Sequence, residues 1–569
     1  MKKSKSLLLL FALLLVIGTV LAGCGGGNNA ATNTGNAEGN TPAASDGSAS
    51  GEKLADDQTL KINLSSEPPT FDPALANDNQ ANTVLKTMYE GLTRMNDETG
   101  QAEPGIAEKW DVSADGLVYT FHLRDAKWSN GDPVVAGDFV RAWKRVLDPA
   151  AAEPAPYSYQ LYYLKNAQEY NEKKVTDFNQ VGVKAVDDKT LEVTLVAPTP
   201  YFLGLLSFYT YYPVHKSVEG NAKWATNKDT MIVDGPFTLS EWTTGQSLQV
   251  SKNDNYWDKD SIKLSKIDFS LVNSSATELQ AYESGQLDRA GGPNGEIPTE
   301  QLPIVQQKYP DEFQRKGIAN VYYYEFNVTD KPFNNANIRK ALAMSIDRQT
   351  LIDKVTLGGQ LPAFGFVPPG IVGANGEYRT AIKENYFTED VAQAKTLLEQ
   401  GLKEEGLTKL PTFTLSYNTS EGHKKIALAI ADMWKKNLGV DVKLENQEWA
   451  VFIENRQHQN FDVARAGWSA DYNDPATFLD MWVTKGGNND TGYANPAYDK
   501  LIAEAKASAD PAVRQEKFAA AEKMIIQDDM IVMPIYYYTN NSLVKPYLKG
   551  ITLDFSGSLN LTRAYLLEH

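Results

Sequence analysis

Residues 467–472 (GWSADY) place an aromatic ring, a hydroxyl, a carboxylate and a phenol close together. Trp468 offers a broad apolar face, and the Asp471 carboxylate could hold a cationic group through a charge-assisted hydrogen bond. The preceding residues, 461–466, alternate in the pattern of a β-strand that ends at Gly467. Such side chains at the end of a strand favour a ligand with an apolar part and a positive end. They leave open whether the site binds or catalyses.

The residues around this segment do not complete a catalytic set. The five histidines form no H-E-x-x-H pattern, and a single cysteine excludes a C-x-x-C pair. Gly467-Trp-Ser-Ala-Asp471 departs from the G-x-S-x-G nucleophile elbow at its last position. The carboxylate pair of a secreted hydrolase stays open as a remote alternative, because acidic residues are abundant. We therefore expect a binding protein and not an enzyme, with no metal and no cofactor.

The chain before this segment alternates strands and helices. Their order is strand 413–417, helix 421–438, strand 440–444, helix 450–457 and strand 461–466. Two consecutive β-α-β units imply a parallel sheet, and the ligands of such sheets lie beyond the carboxyl ends of the strands. Residues 417–420, 447–449 and 467–474 follow the three strands, so we expect them to meet at one edge of the sheet.

The N-terminus predicts export and lipid attachment. An apolar run at residues 7–20 follows a basic start, is short for a membrane span and is typical of a signal peptide. The sequence Leu21-Ala-Gly-Cys24 resembles the bacterial lipobox, in which cleavage precedes a cysteine that receives a lipid. We expect a signal peptide at residues 1–23, then the lipidated Cys24 and a flexible stalk over residues 24–53.

Length and charge bound the remaining classes of function. A chain of 569 residues exceeds the size at which one core stops growing, so several domains are expected. The formal net charge of −17 argues against nucleic acid as a partner. Aromatic residues make up 10% of the chain, which suits aromatic-lined clefts.

Two blocks of the sequence carry a family resemblance. The first reads Gly105…Trp110…Asp115-Gly116…Phe121-His-Leu-Arg124…Trp128-Ser-Asn-Gly131…Asp138-Phe139-Val140. The second contains Tyr417-Asn-Thr-Ser-Glu-Gly-His-Lys-Lys425 and the stretch from Trp449 to Pro475. Together they resemble the extracellular solute-binding proteins of peptide ABC importers (solute-binding protein family 5), and among these the oligopeptide-binding lipoproteins. The resemblance runs from about residue 54 to the C-terminus.

The resemblance implies an α/β, bilobal fold of the periplasmic-binding-protein kind (type II, cluster C) with an extra inserted domain. Lobe I would comprise residues 54–89, 206–322 and 536–569, the inserted domain II residues 90–205, and lobe II (domain III) residues 323–535. It also implies a monomer that captures short peptides by closure of the lobes and passes them to a membrane-embedded ABC permease.

The resemblance further implies roles for individual residues. Asp471 matches the aspartate that binds the terminal amine of a peptide. The residues expected to form the peptide pocket are Trp449, Trp468, Tyr417, Asn418, Thr419, Gly467, Ser469, Ala470, Tyr472, Asn77 and Asn79. The candidates for the carboxylate end of the peptide are Arg465, Arg456 and His423. From the residues alone, a loop-capping role for Asp471, core packing for the tryptophans and internal salt bridges for the arginines stay open.

Some positions depart from the pattern of the family. Thr356 stands near the place where relatives carry a lysine at the carboxylate end of the peptide. Asn320 and Ser469 lie near the places where some relatives carry a cysteine pair. Thr356 therefore bears on how the peptide carboxylate is recognised. Without the cysteine pair, this chain lacks the disulfide that those relatives could form.

We therefore predict an oligopeptide-binding protein tethered to the extracellular face of the bacterial cell membrane. A binder of another small solute, such as a sugar or nickel, and a peptide-signal receptor of the same fold are the alternatives. Asp471 bears on the choice, because a neutral ligand would not need a carboxylate.

Overall fold

The computed structural model describes residues 53–97, 101–221, 223–382 and 385–569. The predicted signal peptide, Cys24 and nearly all of the predicted stalk lie outside the described residues. Within these ranges, no helix combines the length and the apolar character needed to cross a membrane.

Strands and helices are spread along the whole described chain. The strands are β1 (Thr59–Asn63), β2 (Thr93–Met95), β3 (Ala102–Pro104), β4 (Ala107–Val112), β5 (Val118–Leu123), β6 (Val183–Asp187), β7 (Thr190–Thr194), β8 (Phe237–Thr243), β9 (Ser247–Lys252), β10 (Lys266–Ser270), β11 (Arg289–Gly291), β12 (Phe313–Phe326), β13 (Leu361–Pro362), β14 (Val372–Gly373), β15 (Gly376–Glu377), β16 (Phe413–Asn418), β17 (Val442–Gln447), β18 (Val463–Ser469), β19 (Val532–Val544), β20 (Leu548–Lys549), β21 (Thr552–Leu553), β22 (Leu559–Asn560) and β23 (Tyr565–Leu566). The α-helices are α1 (Asn79–Met88), α2 (Ala136–Val146), α3 (Ala167–Asn171), α4 (Phe202–Leu205), α5 (Ser275–Glu283), α6 (Leu302–Lys308), α7 (Ala336–Met344), α8 (Arg348–Leu351), α9 (Tyr378–Ile382), α10 (Val391–Glu404), α11 (Glu421–Leu438), α12 (Trp449–Gln457), α13 (Ala476–Leu479), α14 (Pro496–Ala507) and α15 (Pro511–Lys523).

An 11-stranded sheet contains many of the strands, in the order β17-β16-β18-β12-β19-β11-β1-β10-β9-β8, with β13 beside β19. Its two longest strands, β12 and β19, are antiparallel neighbours. They join a half that ends in β17 to a half that ends in β8. Residues 318–326 of β12 are buried without interruption, so both faces of this strand are covered.

The predicted parallel unit is confirmed. β16 pairs in parallel with both β17 and β18, and α11 and α12 form the two crossovers. Helix α11 begins after Ser420, whose hydroxyl accepts a hydrogen bond from the backbone N–H of His423. It ends at Gly439, whose φ of +70° lies in the left-handed region that glycine adopts most readily. The carboxyl ends of the three strands therefore meet at one edge of the sheet.

One predicted strand boundary was wrong. Strand β18 does not end at Gly467 but continues to Ser469. The reason is tertiary: Trp468 and Ser469 pair with Val321 and Asn320 of the neighbouring strand β12. A glycine therefore lies inside a strand here, where the pairing partner decides the conformation.

A separate four-stranded antiparallel sheet, β4-β5-β7-β6, lies within residues 90–205, the predicted inserted domain. The hairpin predicted from the sequence is formed by β4 and β5. Its turn contains Gly116 with a φ of +71°, a conformation that suits glycine. The exact domain boundaries stay predictions.

Candidate functional site

A cavity of about 840 Å³ lies beyond the carboxyl ends of β16, β17 and β18. Most of the predicted site residues line it. These are Asn77, Asn79, Asn418, Thr419, His423, Trp449, Arg456, Arg465, Gly467, Trp468, Ser469, Ala470 and Asp471.

Tyr417 and Tyr472 were predicted in the pocket but do not line the cavity. Tyr417 is 5% exposed and belongs to the core, on the same face of β16 as Phe413 and Leu415. Tyr472 is 2% exposed, and its ring stacks on Tyr201 with centroids 5.1 Å apart. Both side chains therefore belong to the core and not to the lining of the cavity.

The backbone edges of β16 and β18 separate where they reach the cavity. Their parallel pairing stops after Ser416, which is opposite Ala464. From Arg465 onward, β18 continues its pairing with β12 on one side only. Beyond these residues, β16 and β18 form no backbone pairing with each other in the described structure. Two open strand edges at one cavity can accept an extended chain as an added strand.

The Asp471 carboxylate is fixed by neutral donors. Its Oδ2 accepts hydrogen bonds from Gln160 Nε2 at 2.9 Å and from Thr477 Oγ1 at 3.4 Å. The Asp471 N–H donates to the same Thr477 oxygen at 3.0 Å. These contacts hold the side chain in place without neutralising its charge.

Two neighbouring carboxylates, unlike Asp471, form ion pairs. Asp474 is paired with Arg514 at 2.7 Å, and Asp480 with Lys506 at 3.3 Å. No such ion pair reaches Asp471 from any described residue. Asp471 is thus the member of this acidic group whose charge is left uncompensated at the cavity.

Burial raises the pKa of Asp471 well above its usual range. The nearby charge of Asp480 adds to the shift, whereas the hydrogen bonds from Thr477 and Gln160 act in the opposite direction. A cation bound at this carboxylate would favour its ionised form. The surroundings of Asp471 therefore favour a positively charged ligand group.

Two tryptophans form apolar walls. The rings of Trp468 and Tyr157 lie with centroids 6.2 Å apart, and Trp449 packs against Phe452 at 6.5 Å. The indole N–H groups of both tryptophans are buried and find no acceptor among the described residues. Aromatic faces suit ligands that carry apolar side chains.

Arg465 is a cation in the cavity without an anionic partner. Its Nη2 donates to Tyr538 Oη at 2.6 Å and its Nη1 to Asn418 Oδ1 at 3.3 Å. The guanidinium carbon lies 4.8 Å from the centroid of the Tyr322 ring. Its Nε is buried without an acceptor, and no described carboxylate forms an ion pair with it. This guanidinium is available for a ligand carboxylate.

The other two candidates for the carboxylate end differ from Arg465. Arg456 is already paired with buried Glu325 at 2.5 Å and with Asp490 at 3.0 Å, so its charge is compensated inside the protein. Burial, together with the adjacent charge of Arg465, lowers the pKa of His423 well below its usual range. A neutral imidazole can donate a hydrogen bond but adds no charge.

Thr356 also lines the cavity, but its hydroxyl donates to Gln360 Oε1 at 2.9 Å. It therefore supplies no cation at this place. Within the described ranges, no group of three or more His, Cys, Asp or Glu side chains is arranged to hold a metal ion.

Sequence reasoning missed several residues of the site. Gln160, which holds Asp471, and Tyr157, which contacts Trp468, come from residues 157–163 of the predicted inserted domain. Tyr538, which holds Arg465, comes from β19. These residues are far from the motif in sequence, and no local pattern marks them.

A contact across the cavity was also missed. Glu296 follows β11, in the half of the sheet that ends in β8, and its Oε2 accepts from the Ser420 hydroxyl at 3.0 Å. A Cβ at Gly422 would lie 2.1 Å from Glu296 Oε1, so the carboxylate lies directly against the N-terminus of α11. Lys425 Nζ also donates to Thr299 Oγ1 at 3.1 Å. The two halves of the sheet are thus bonded to each other at the cavity.

The fold and the cavity define a bilobal α/β binding protein of the periplasmic-binding-protein kind with an extra inserted domain. The chain belongs to the bacterial extracellular solute-binding proteins, family 5, whose middle region matches residues 101–490. It is 46% identical to the oligopeptide-binding protein OppA of Bacillus subtilis over 515 residues, which cover 89% of this chain and 92% of that protein. It also resembles the crystal structure of Haemophilus influenzae OppA in complex with RPPGFSPFR, with a TM-score of 0.85 and 36% identity, over 91% of this chain and 100% of that one.

Two structures of one relative indicate the arrangement of the halves. The murein tripeptide-binding protein MppA of Escherichia coli matches with a TM-score of 0.83 at 36% identity, over 91% of this chain and 100% of that one. The unliganded open form of MppA matches with a TM-score of only 0.61 at the same identity, over 92% and 99% of the two chains. The arrangement described above is therefore unlike that open form.

Proposed function

We propose that this protein captures oligopeptides outside the cell and delivers them to an ABC permease. The observation that carries the proposal is that one cavity holds the Asp471 carboxylate without a cationic partner and the Arg465 guanidinium without a carboxylate partner. A peptide has an ammonium at one end and a carboxylate at the other, so it complements both. The names of the relatives, OppA of Bacillus subtilis and of Haemophilus influenzae, support the same ligand class.

Each part of the cavity takes a different part of the ligand in this proposal. Asp471 binds the terminal ammonium, and Arg465 binds the terminal carboxylate, with His423 as an uncharged hydrogen-bond donor nearby. The open edges of β16 and β18 pair with the peptide backbone, which all sequences share. Trp449 and Trp468 contact the side chains without requiring one shape. This division lets one site accept many peptides.

Closure of the two halves retains the peptide. The contact of Glu296 with Ser420 and Gly422 joins the halves beside the cavity, in an arrangement unlike the unliganded open form of MppA. Opening would break this contact and release the peptide toward the permease. The protein is tethered to the outer face of the membrane through lipidated Cys24, on the basis of the lipobox resemblance. We propose that it acts as a monomeric binder and not as an enzyme.

The experiment is native mass spectrometry of the purified protein, followed by calorimetry with trialanine and N-acetyl-trialanine. Co-purified peptides and tight binding of trialanine are expected, with N-acetyl-trialanine bound far more weakly. The proposal is refuted if no peptide co-purifies with the protein and neither tripeptide binds in calorimetry. Uptake of the same peptide by cells with and without the gene tests delivery to a permease.

A further inference from the structure

Gln160 reaches the Asp471 carboxylate from a distant part of the chain. It belongs to the 3-10 turn Ser158–Tyr163, and 311 positions separate it from Asp471. Its Nε2 donates to Asp471 Oδ2 at 2.9 Å, and its side chain is 0% exposed. The predicted inserted domain therefore makes a direct polar contact with the loop after β18.

The backbone of Gln160 is itself held firmly. Its carbonyl accepts from Tyr211 Oη at 2.5 Å, and its N–H donates to the Tyr157 carbonyl at 3.1 Å. The Tyr211 carbonyl accepts in turn from Trp143 Nε1 at 3.0 Å. Trp143 and Tyr211 are both fully buried. The backbone from which the Gln160 side chain extends is thus held by the core and not by Asp471.

The side-chain carbonyl oxygen of Gln160 has an environment that is unusual for a structural glutamine. Gln160 Oε1 is closed off from solvent and finds no donor among the described residues. A buried glutamine that serves packing alone normally has partners for both amide atoms, and an unpaired one calls for an explanation. Here one amide atom is left unsatisfied while the other is committed to Asp471.

We propose that Gln160 is a positioning residue of the amine site. By occupying Asp471 Oδ2, it fixes the orientation of the carboxylate and leaves Oδ1 for the ammonium of the ligand. Its donated hydrogen bond also stabilises the ionised carboxylate, the form that binds a cation. This role rests on the proposed function of Asp471 and extends it to a residue outside the strand-end motif.

The surroundings of Asp471 contain few groups that could replace this donor. Burial and the charge of Asp480 disfavour the ionised form, and of the two side chains that stabilise it, Gln160 is the closer donor. The titratable and polar groups that face Asp471 from the neighbouring elements are Thr477, Asp480 with its partner Lys506, Tyr157, Tyr159 and Tyr209. The one cation among them, Lys506, pairs with Asp480 and does not reach Asp471 itself. Loss of Gln160 should therefore raise the pKa of Asp471 further.

The test is the discrimination between trialanine and N-acetyl-trialanine, measured by calorimetry for the wild type, Gln160→Met and Gln160→Asn. Methionine keeps the length without a donor, and asparagine keeps the amide but shortens its reach. The matched control is Gln168→Met, on an exposed glutamine of α3 that contacts Glu172. We expect Gln160→Met to weaken trialanine binding about tenfold, the effect of one hydrogen bond to a charged group, with N-acetyl-trialanine unchanged. The lower pH limit of trialanine binding should also move upward.

The outcomes separate the inference from the proposed function. If the wild type does not prefer trialanine to N-acetyl-trialanine, the amine site itself is refuted. If the wild type discriminates but Gln160→Met weakens both ligands equally, Gln160 only supports the fold. Unchanged binding of both ligands overturns the positioning role as well. Gln160→Asn serves the same purpose should the methionine variant fail to fold.

Discussion

Replacing Asp471 by asparagine tests the centre of the site. The change keeps the size of the side chain and an oxygen that can accept from Gln160, but removes the charge. A hydrogen bond between charged groups contributes about 1.5–3 kcal/mol, so the Kd for a free tripeptide should rise roughly 10- to 150-fold. Calorimetry with trialanine measures this change, and N-acetyl-trialanine should bind wild type and variant alike.

The same substitution should stabilise the ligand-free protein. Because burial raises the folded-state pKa of Asp471 above its unfolded value, the folded protein binds a proton more tightly than the unfolded chain does. The stability of the folded protein therefore falls as the pH rises from the unfolded pKa, about 4, toward the folded pKa, and the penalty persists above it. Asparagine cannot ionise, so Asp471→Asn should raise Tm near neutral pH and have little effect near pH ~4.

The control is Asp474→Asn, three residues away. Its carboxylate is paired with Arg514 at 2.7 Å, so its loss leaves a buried cation unpaired and should cost about 3–5 kcal/mol of stability. It should nevertheless keep the preference for a free amine. The reasoning is refuted if Asp471→Asn binds trialanine with unchanged affinity, or if both variants lose stability to the same extent.

Three further substitutions test other parts of the site. Arg465→Met should weaken the binding of a free tripeptide about tenfold and leave the binding of the same tripeptide with a C-terminal amide unchanged, because only the carboxylate needs the guanidinium. Equal losses of affinity for both ligands in calorimetry would contradict this role. Arg456→Met should lower the free energy of unfolding by about 3–5 kcal/mol in denaturant titration, because it leaves the buried Glu325 carboxylate without its cation. Unchanged stability would contradict a structural role for this ion pair. Gly422→Ala should weaken peptide binding roughly tenfold in calorimetry, because the Cβ of the alanine would displace Glu296 from α11. An affinity equal to that of the wild type would show that the contact between Glu296 and α11 does not hold the closed arrangement.

The local part of the site could be predicted from the sequence. The alternation of apolar residues in β16, β17 and β18 and the two intervening helices determine a parallel unit, whose strand ends meet whatever the rest of the chain does. The same alternation also places Tyr417 on the core face with Phe413 and Leu415. The resemblance to a family placed it in the pocket, and the structure agrees with the alternation.

The remainder of the site depends on contacts between distant segments. The bond from Gln160 to Asp471 spans 311 positions, and the one from Glu296 to Ser420 spans 124. Neither residue belongs to a motif, and each becomes a partner only through the arrangement of the halves. The extension of β18 past Gly467 has the same origin, because strand β12 provides the pairing that continues it. Periodicity describes one element at a time and carries no information on such partners.

Ion pairing distinguishes the buried charged groups that stabilise the fold from those that are proposed to bind the ligand. Arg456, Glu325 and Asp490 compensate one another, as buried charges that serve the fold must do. Asp471 and Arg465 line the same cavity, yet each is held only by neutral donors or acceptors. Leaving two opposite charges unpaired lowers the stability of the empty protein, and a ligand that carries both charges recovers that free energy on binding. Because a singly charged solute could compensate only one of them, the arrangement favours a zwitterionic chain such as a peptide over a metal ion or a neutral sugar.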